Sequence, residues 1–126
     1  MSLLPLQNYL MKIKDPIWLD QDPDQPNTFC GKVPEDLIYL KDHFAEFPLV
    51  PGVVELQWVY EKLAEILKQN ITIEQIKSLK FQQFLRPSDN FELTINILDE
   101  KHKAKFSLKH QEKNCASGII LFKIKG

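Results

Sequence analysis

The chain of 126 residues has only two cysteines, no surplus of either charge and no long apolar run. Cys30 and Cys115 lie far apart and match no metal-ligand spacing, so they read as half-buried free thiols of a reducing compartment. A net charge of −1 supplies no field that would draw nucleic acid or an anionic membrane surface. Leu3, Leu4 and Leu6 are interrupted by Gln7 and Asn8, too soon for the apolar core of a secretion signal. Nothing downstream is long enough to span a bilayer, and the expected location is the cytoplasm. Internal repeats and low-complexity segments are also missing. What remains, 44% hydrophobic and 26% charged, is the composition of one ordinary globular domain over residues 1–126.

The pattern predicts short helical turns at about Pro5 to Met11 and from Pro34 to Asp36, and an irregular loop from Asp15 to Asn27 around Pro16, Pro23 and Pro26. A first strand falls at about Thr28 to Val33. From about Val53 to Gln69 runs the one long helix, apolar on most of its circumference through Val53, Val54, Leu56, Trp58, Val59, Tyr60, Leu63, Ala64, Ile66 and Leu67. A helix so covered needs burial on more than one side.

The second half reads as strands. Phe91, Leu93, Ile95 and Ile97 alternate with polar residues, as do Ala104, Phe106 and Leu108, and then Ala116, Ile120, Phe122 and Ile124. Such period-two alternation marks sheet with one buried and one wet face. Polar links from Asp99 to His102 and from Gln111 to Asn114 predict hairpins, and a further strand is placed from about Ile76 to Leu85. The fold class is α+β, with the helix packed on an antiparallel sheet.

Chemistry concentrates in His43-Phe44-Ala45-Glu46-Phe47-Pro48-Leu49-Val50-Pro51-Gly52, which runs directly into the helix. Pro48 and Pro51 stiffen the approach, and Gly52 leaves the first helical N–H groups uncovered. Such a helix end can polarise a carbonyl, and a histidine beside it is a base of suitable strength. His102 and His110 carry no such context and read as surface residues.

This motif resembles that of the hot-dog-fold 3-hydroxyacyl-acyl carrier protein dehydratases, in their short single-domain branch. Lys80-Phe81 and Arg86-Pro87-Ser88-Asp89 stand where that family usually carries a Phe and a Pro-Gly-Asp turn, and Val33-Pro34-Glu35-Asp36-Leu37 resembles the segment leading to its histidine. The resemblance implies a hot-dog fold, an antiparallel sheet wrapped around one long central helix. It implies removal of water from a (3R)-hydroxyacyl thioester to give the trans-2-enoyl thioester, in fatty-acid or related acyl-chain biosynthesis. The substrate would arrive on the phosphopantetheine arm of acyl carrier protein. No metal or redox cofactor is implied, and a homodimer or higher homo-oligomer is, with the groove between subunits.

Carried over by position, His43 is the base and Gly52 offers its N–H to the thioester carbonyl. Phe44, Phe47, Pro51 and Val53 would line the acyl site, although core packing also accounts for the two phenylalanines. The family's carboxylate, fourteen residues after the histidine, is replaced by Gln57. Glutamine can orient a water or a hydroxyl but donates no carboxylic proton. Glu61 lies about one turn further on and about 40° around the helix, so it is expected either to supply the displaced carboxylate or to belong to a solvated arc with Glu65 and Lys68. Glu55, about 200° from position 57, is expected to face elsewhere. Two further readings stay open: an acyl-thioester-binding module that has lost turnover, acting alone or paired with an active relative, and an acyl thioesterase.

Overall fold

A computed structural model describes residues 15–35, 50 and 52–125. The expected short helix near Pro5, the residues His43, Phe44, Phe47 and Pro51, and the end of the turn at Asp36 lie outside the described residues. In chain order the described elements are β1 (Ile17–Trp18), β2 (Thr28–Lys32), α1 (Gly52–Leu67), β3 (Ile71–Phe81), β4 (Asn90–Asp99), β5 (Lys103–His110) and β6 (Lys113–Ile124). The strands form one antiparallel six-stranded sheet in the order β1-β2-β4-β5-β6-β3, with the long helix α1 against one face. This is the hot-dog architecture the motif implies.

The alternating apolar residues fill the space between sheet and helix. Phe91, Leu93 and Ile95 from β4, Ala104, Phe106 and Leu108 from β5, and Ala116, Ile120 and Phe122 from β6 are all buried. From α1 come Val54, Trp58, Val59 and Leu63. Trp58 stacks on Phe91 with centroids 5.1 Å apart, and Trp18 meets Phe91 edge-on at 5.6 Å. Lys62 lays its ammonium over the Trp18 ring at 4.4 Å and the Phe29 ring at 4.9 Å, tying the helix to the first hairpin.

Three expectations are corrected. The segment from Asp15 to Asn27 is not wholly loop: Ile17 and Trp18 pair with Lys32 and Gly31, because the Trp18 ring is anchored on Phe29 and Phe91. The strand placed at Ile76 to Leu85 spans Ile71–Phe81 instead, beginning directly after the helix and pairing with β6 at the sheet edge. Most of its side chains are exposed, so its alternation is faint in the sequence. Finally, Cys115 is buried rather than half-buried, whereas Cys30 is intermediate as expected.

Glycine is scarce, with four in the whole chain. The three among the described residues are each covered by a phenylalanine ring: a Cβ on Gly31 would meet Phe91 at 2.6 Å, on Gly52 Phe81 at 2.7 Å, and on Gly118 Phe106 at 2.9 Å. With the glycines used for close packing, turns needing positive φ are made by other residues. Lys68 (φ 55°) closes α1, with Gln69 N–H reaching Ala64 C=O and Lys68 N–H reaching Glu65 C=O. Gln111 and Glu112 (φ 51° and 67°) make the two-residue hairpin between β5 and β6. Ser88 (φ 72°) follows Pro87 in a turn closed by Asp89 N–H to Arg86 C=O, the position where glycine is favoured.

Candidate active site

The first turn of α1 is positioned by the segment that leaves β3. Val50 N–H donates to Leu85 C=O at 2.7 Å, fixing the chain just before the helix. The close approach of Phe81 to Gly52 is possible only because that glycine has no side chain. Phe81 in turn stacks on Phe84 at 6.5 Å. Val53, Phe81 and Phe84 stay 59%, 38% and 47% exposed, so an apolar surface surrounds the helix start.

The amide of Gln57 donates to Glu61 Oε1 at 3.3 Å, which brings the two expected site residues together on one face. Both are half-buried. In this pair Glu61 is the acceptor.

Glu55 does something the sequence reading did not foresee. It is 1% exposed, and neither carboxyl oxygen has a side-chain hydrogen-bond partner among the described residues. Burial pushes its pKa from 4.5 up to about 8, with the nearby Leu85 backbone opposing only part of the rise. The signal was available: Glu55 precedes Trp58 and Val59 by three and four residues, on the buried stripe of the helix.

A bulge in β6 completes the surroundings. The register with β5 steps from Leu108↔Ala116 to Lys109↔Asn114, leaving Cys115 unpaired and turning both Cys115 and Ala116 inward. The Cys115 carbonyl accepts the N–H groups of Gln82 and Gln83 at 2.8 and 3.3 Å. Burial, then the nearby carboxyls of Glu55 and Asp89, push the Cys115 thiol up to about 11, so it remains protonated.

Outside the same segment lies a cleft lined by Gln83, Phe84, Arg86, Asp89 and His110. His110 is therefore not an ordinary surface residue. Its Nδ1 bonds Asn90 C=O and its Nε2 lies 3.8 Å from Asp89 Oδ1. Asp89 Oδ2 also accepts the Arg86 N–H at 2.8 Å. By contrast His102 is exposed beside Asp99 in the β4–β5 turn. Among the described residues no group of three His, Cys, Asp or Glu side chains is placed to hold a metal, and no helix is long and apolar enough to cross a membrane.

Comparison with known proteins gives a consistent picture. Residues 20–119 match the ApeI-like family model, described as ApeI dehydratase. An uncharacterized protein from Erwinia carotovora subsp. atroseptica is similar at 28% identity and TM-score 0.72, over 87% of this chain and 97% of its own. The dehydratase heterocomplex ApeI:P from Xenorhabdus doucetiae contains a chain with the same fold, at 24% identity and TM-score 0.72, over 86% of this chain and 98% of that one. A probable thioesterase from Bartonella henselae shares the fold at 11% identity and TM-score 0.62, over 79% and 89% of the two chains. No curated protein matches the sequence.

Proposed function

Because the chain belongs to the ApeI-like dehydratase family, we infer that it removes water from a (3R)-hydroxyacyl thioester carried by acyl carrier protein, giving the trans-2-enoyl thioester. The observation that carries this reading is the family match spanning the helix start, where Gly52 is kept bare under Phe81. His43 is the base that removes the α-proton, a task suited to a neutral imidazole. The Gly52 N–H, at the positive end of α1, stabilises the charge that develops on the thioester oxygen. Gln57 orients the β-hydroxyl, and Glu61 holds the Gln57 amide in place through their hydrogen bond. Phe44, Phe47, Pro51 and Val53 border the acyl chain. The reaction belongs to cytoplasmic acyl-chain assembly and the working unit is a homodimer, whose groove receives the phosphopantetheine arm.

The test is incubation of the purified protein with 3-hydroxyacyl-acyl carrier protein thioesters of several lengths, following enoyl formation by mass spectrometry. His43→Ala should lower the rate by about 100-fold or more. Binding without loss of water at any length would instead leave an acyl-thioester module.

A second reading is favoured by Gln57 itself. A chain with an amide at that position gains a proton donor if a different hot-dog subunit supplies one. The ApeI:P structure is a heterocomplex, and co-purification with a related chain that restores turnover would select this reading.

A further inference from the structure

A thioester delivered to the start of α1 comes on a pantetheine arm that ends in a phosphate. Along its length that arm has amides, a branched apolar carbon and the anionic phosphodiester. A seat for it needs an amide partner, an apolar surface and a cation on one continuous face.

The segment that leaves β3 supplies all three. Phe81 lies over Gly52, and Phe84 stacks on Phe81. Phe84 also lines the cleft that holds Gln83 and Arg86. An exposed apolar surface thus runs from the first turn of α1 to the cleft of the Arg86 side chain. The span agrees. Leu85 C=O holds Val50 N–H, Arg86 follows Leu85, and Gly52 lies two residues after Val50. The backbones of Arg86 and Gly52 therefore stand within roughly 17 Å of each other. A pantetheine arm has the bond count of four to five extended residues, a reach of roughly 15 Å.

The charge agrees as well. Arg86 is exposed, and among the described residues its guanidinium makes no ion pair or hydrogen bond. The carboxylate on the cleft, Asp89, is occupied within its own turn: Oδ2 accepts the Arg86 backbone N–H at 2.8 Å, and Oδ1 faces His110 Nε2 at 3.8 Å. The guanidinium is left to meet an anion from outside, with the planar fork that matches two phosphate oxygens.

Resting on the dehydratase reading, we propose that Arg86 seats the phosphate of the substrate's pantetheine arm. The arm lies over Phe84 and Phe81 toward Gly52, with Gln83 as a partner for its amides. Arg86 touches no reacting atom, so its share is affinity and not the chemical step. The same phosphate also occurs in coenzyme A, which brings two further phosphates. The cleft has a single Lys or Arg, and the single phosphodiester of a carrier protein is the better match.

The experiment offers 3-hydroxyacyl chains of one length on pantetheine, phosphopantetheine, coenzyme A and acyl carrier protein to wild type, Arg86→Ala and Arg86→Lys. Wild type should show a KM about tenfold lower with phosphopantetheine than with pantetheine. In Arg86→Ala that preference should shrink to about twofold or less, with KM for the carrier protein raised about tenfold and kcat within about twofold of wild type. Arg86→Lys should keep part of the preference, and added salt should weaken it in wild type. A preference for phosphate that survives in Arg86→Ala, or a KM that rises equally for pantetheine, overturns the seat and leaves the dehydratase standing. A loss confined to the coenzyme A thioester overturns it too. No turnover by wild type on any carrier sinks the dehydratase reading, and calorimetry then judges the seat with amide-linked acyl-pantetheine and acyl-phosphopantetheine. Tighter binding of the phosphorylated analogue that Arg86→Ala abolishes upholds it; equal binding of the two overturns it.

Discussion

The two ends of α1 meet the same burial problem in opposite ways. At its C-terminal end the polar groups find local partners: Lys68 and Gln69 fold back onto the carbonyls of Glu65 and Ala64, and the Tyr60 hydroxyl donates to Ile71 C=O at 3.1 Å. Lys62 is carried over two aromatic rings and paired with Glu65 at 3.1 Å. At the first turn a carboxyl is buried instead with no side-chain partner among the described residues and only partial help from the Leu85 backbone, beside a thiol that is also held protonated. One end is built for stability. The other tolerates a cost that packing alone would have removed, for instance by a leucine at position 55, and a retained cost marks the place where chemistry is to be sought.

The largest way to break the contrast is at the packed stripe. Trp58→Ala should destabilise by about 3–5 kcal/mol, because a fully buried indole stacked on Phe91 leaves a cavity the sheet cannot close. The loss, read by denaturant melts, should be similar from pH 5 to pH 8. Stability governed by Glu55 behaves differently. Its folded pKa is raised from 4.5 to about 8, so the folded state holds a proton that the unfolded chain releases. That contribution is full below about pH 4.5 and is lost as pH rises to about 8. Glu55→Gln should flatten this slope and stabilise the protein at pH 8 by on the order of a few kcal/mol.

Smaller effects sharpen the comparison where neither end of α1 is touched. Ser88→Gly should add about 1 kcal/mol by relieving a left-handed residue in the Arg86–Asp89 turn. Replacing Gln111-Glu112 by Asn-Gly should add somewhat less than about 1 kcal/mol, since that hairpin needs two positive φ angles. Both gains should be independent of pH in thermal melts, unlike that at position 55.

Much of this architecture was legible in residue order. Alternation along Phe91–Ile97, Ala104–Leu108 and Ala116–Ile124 identified β4, β5 and β6 because one face of each strand is buried and the other wet. The helix was visible because its apolar arc is broad, and its observed start at Gly52 lies one residue from the expected one. The edge strand β3 was misplaced because a mostly exposed strand has little reason to alternate. β1 was missed because its two residues owe their pairing to the packing of Trp18 and not to local preference. Along α1, Gln57 and Glu61 share a face, as their helical spacing implies. The Cys115 bulge was hidden, since a bulge breaks the period on which strand reading depends. Glu55 faces away from Gln57, as its angle implies, but the face it joins is the buried one of Trp58 and Val59, which that angle alone does not tell.

The irregular edge of the sheet has a consequence for the protein in concentrated solution. β3 slips register against β6 between Ile73 and Gln75 and again between Lys77 and Lys80. Each slip turns the strand and interrupts the outward row of amides and carbonyls, and Lys77 and Lys80 add charge at the second break. A flat foreign strand therefore finds only short stretches of matching hydrogen bonds where the length of β3 promises a long template. Two irregularities that look like defects of pairing thus act as a guard against fibril growth, and straightening them would trade solubility for regularity.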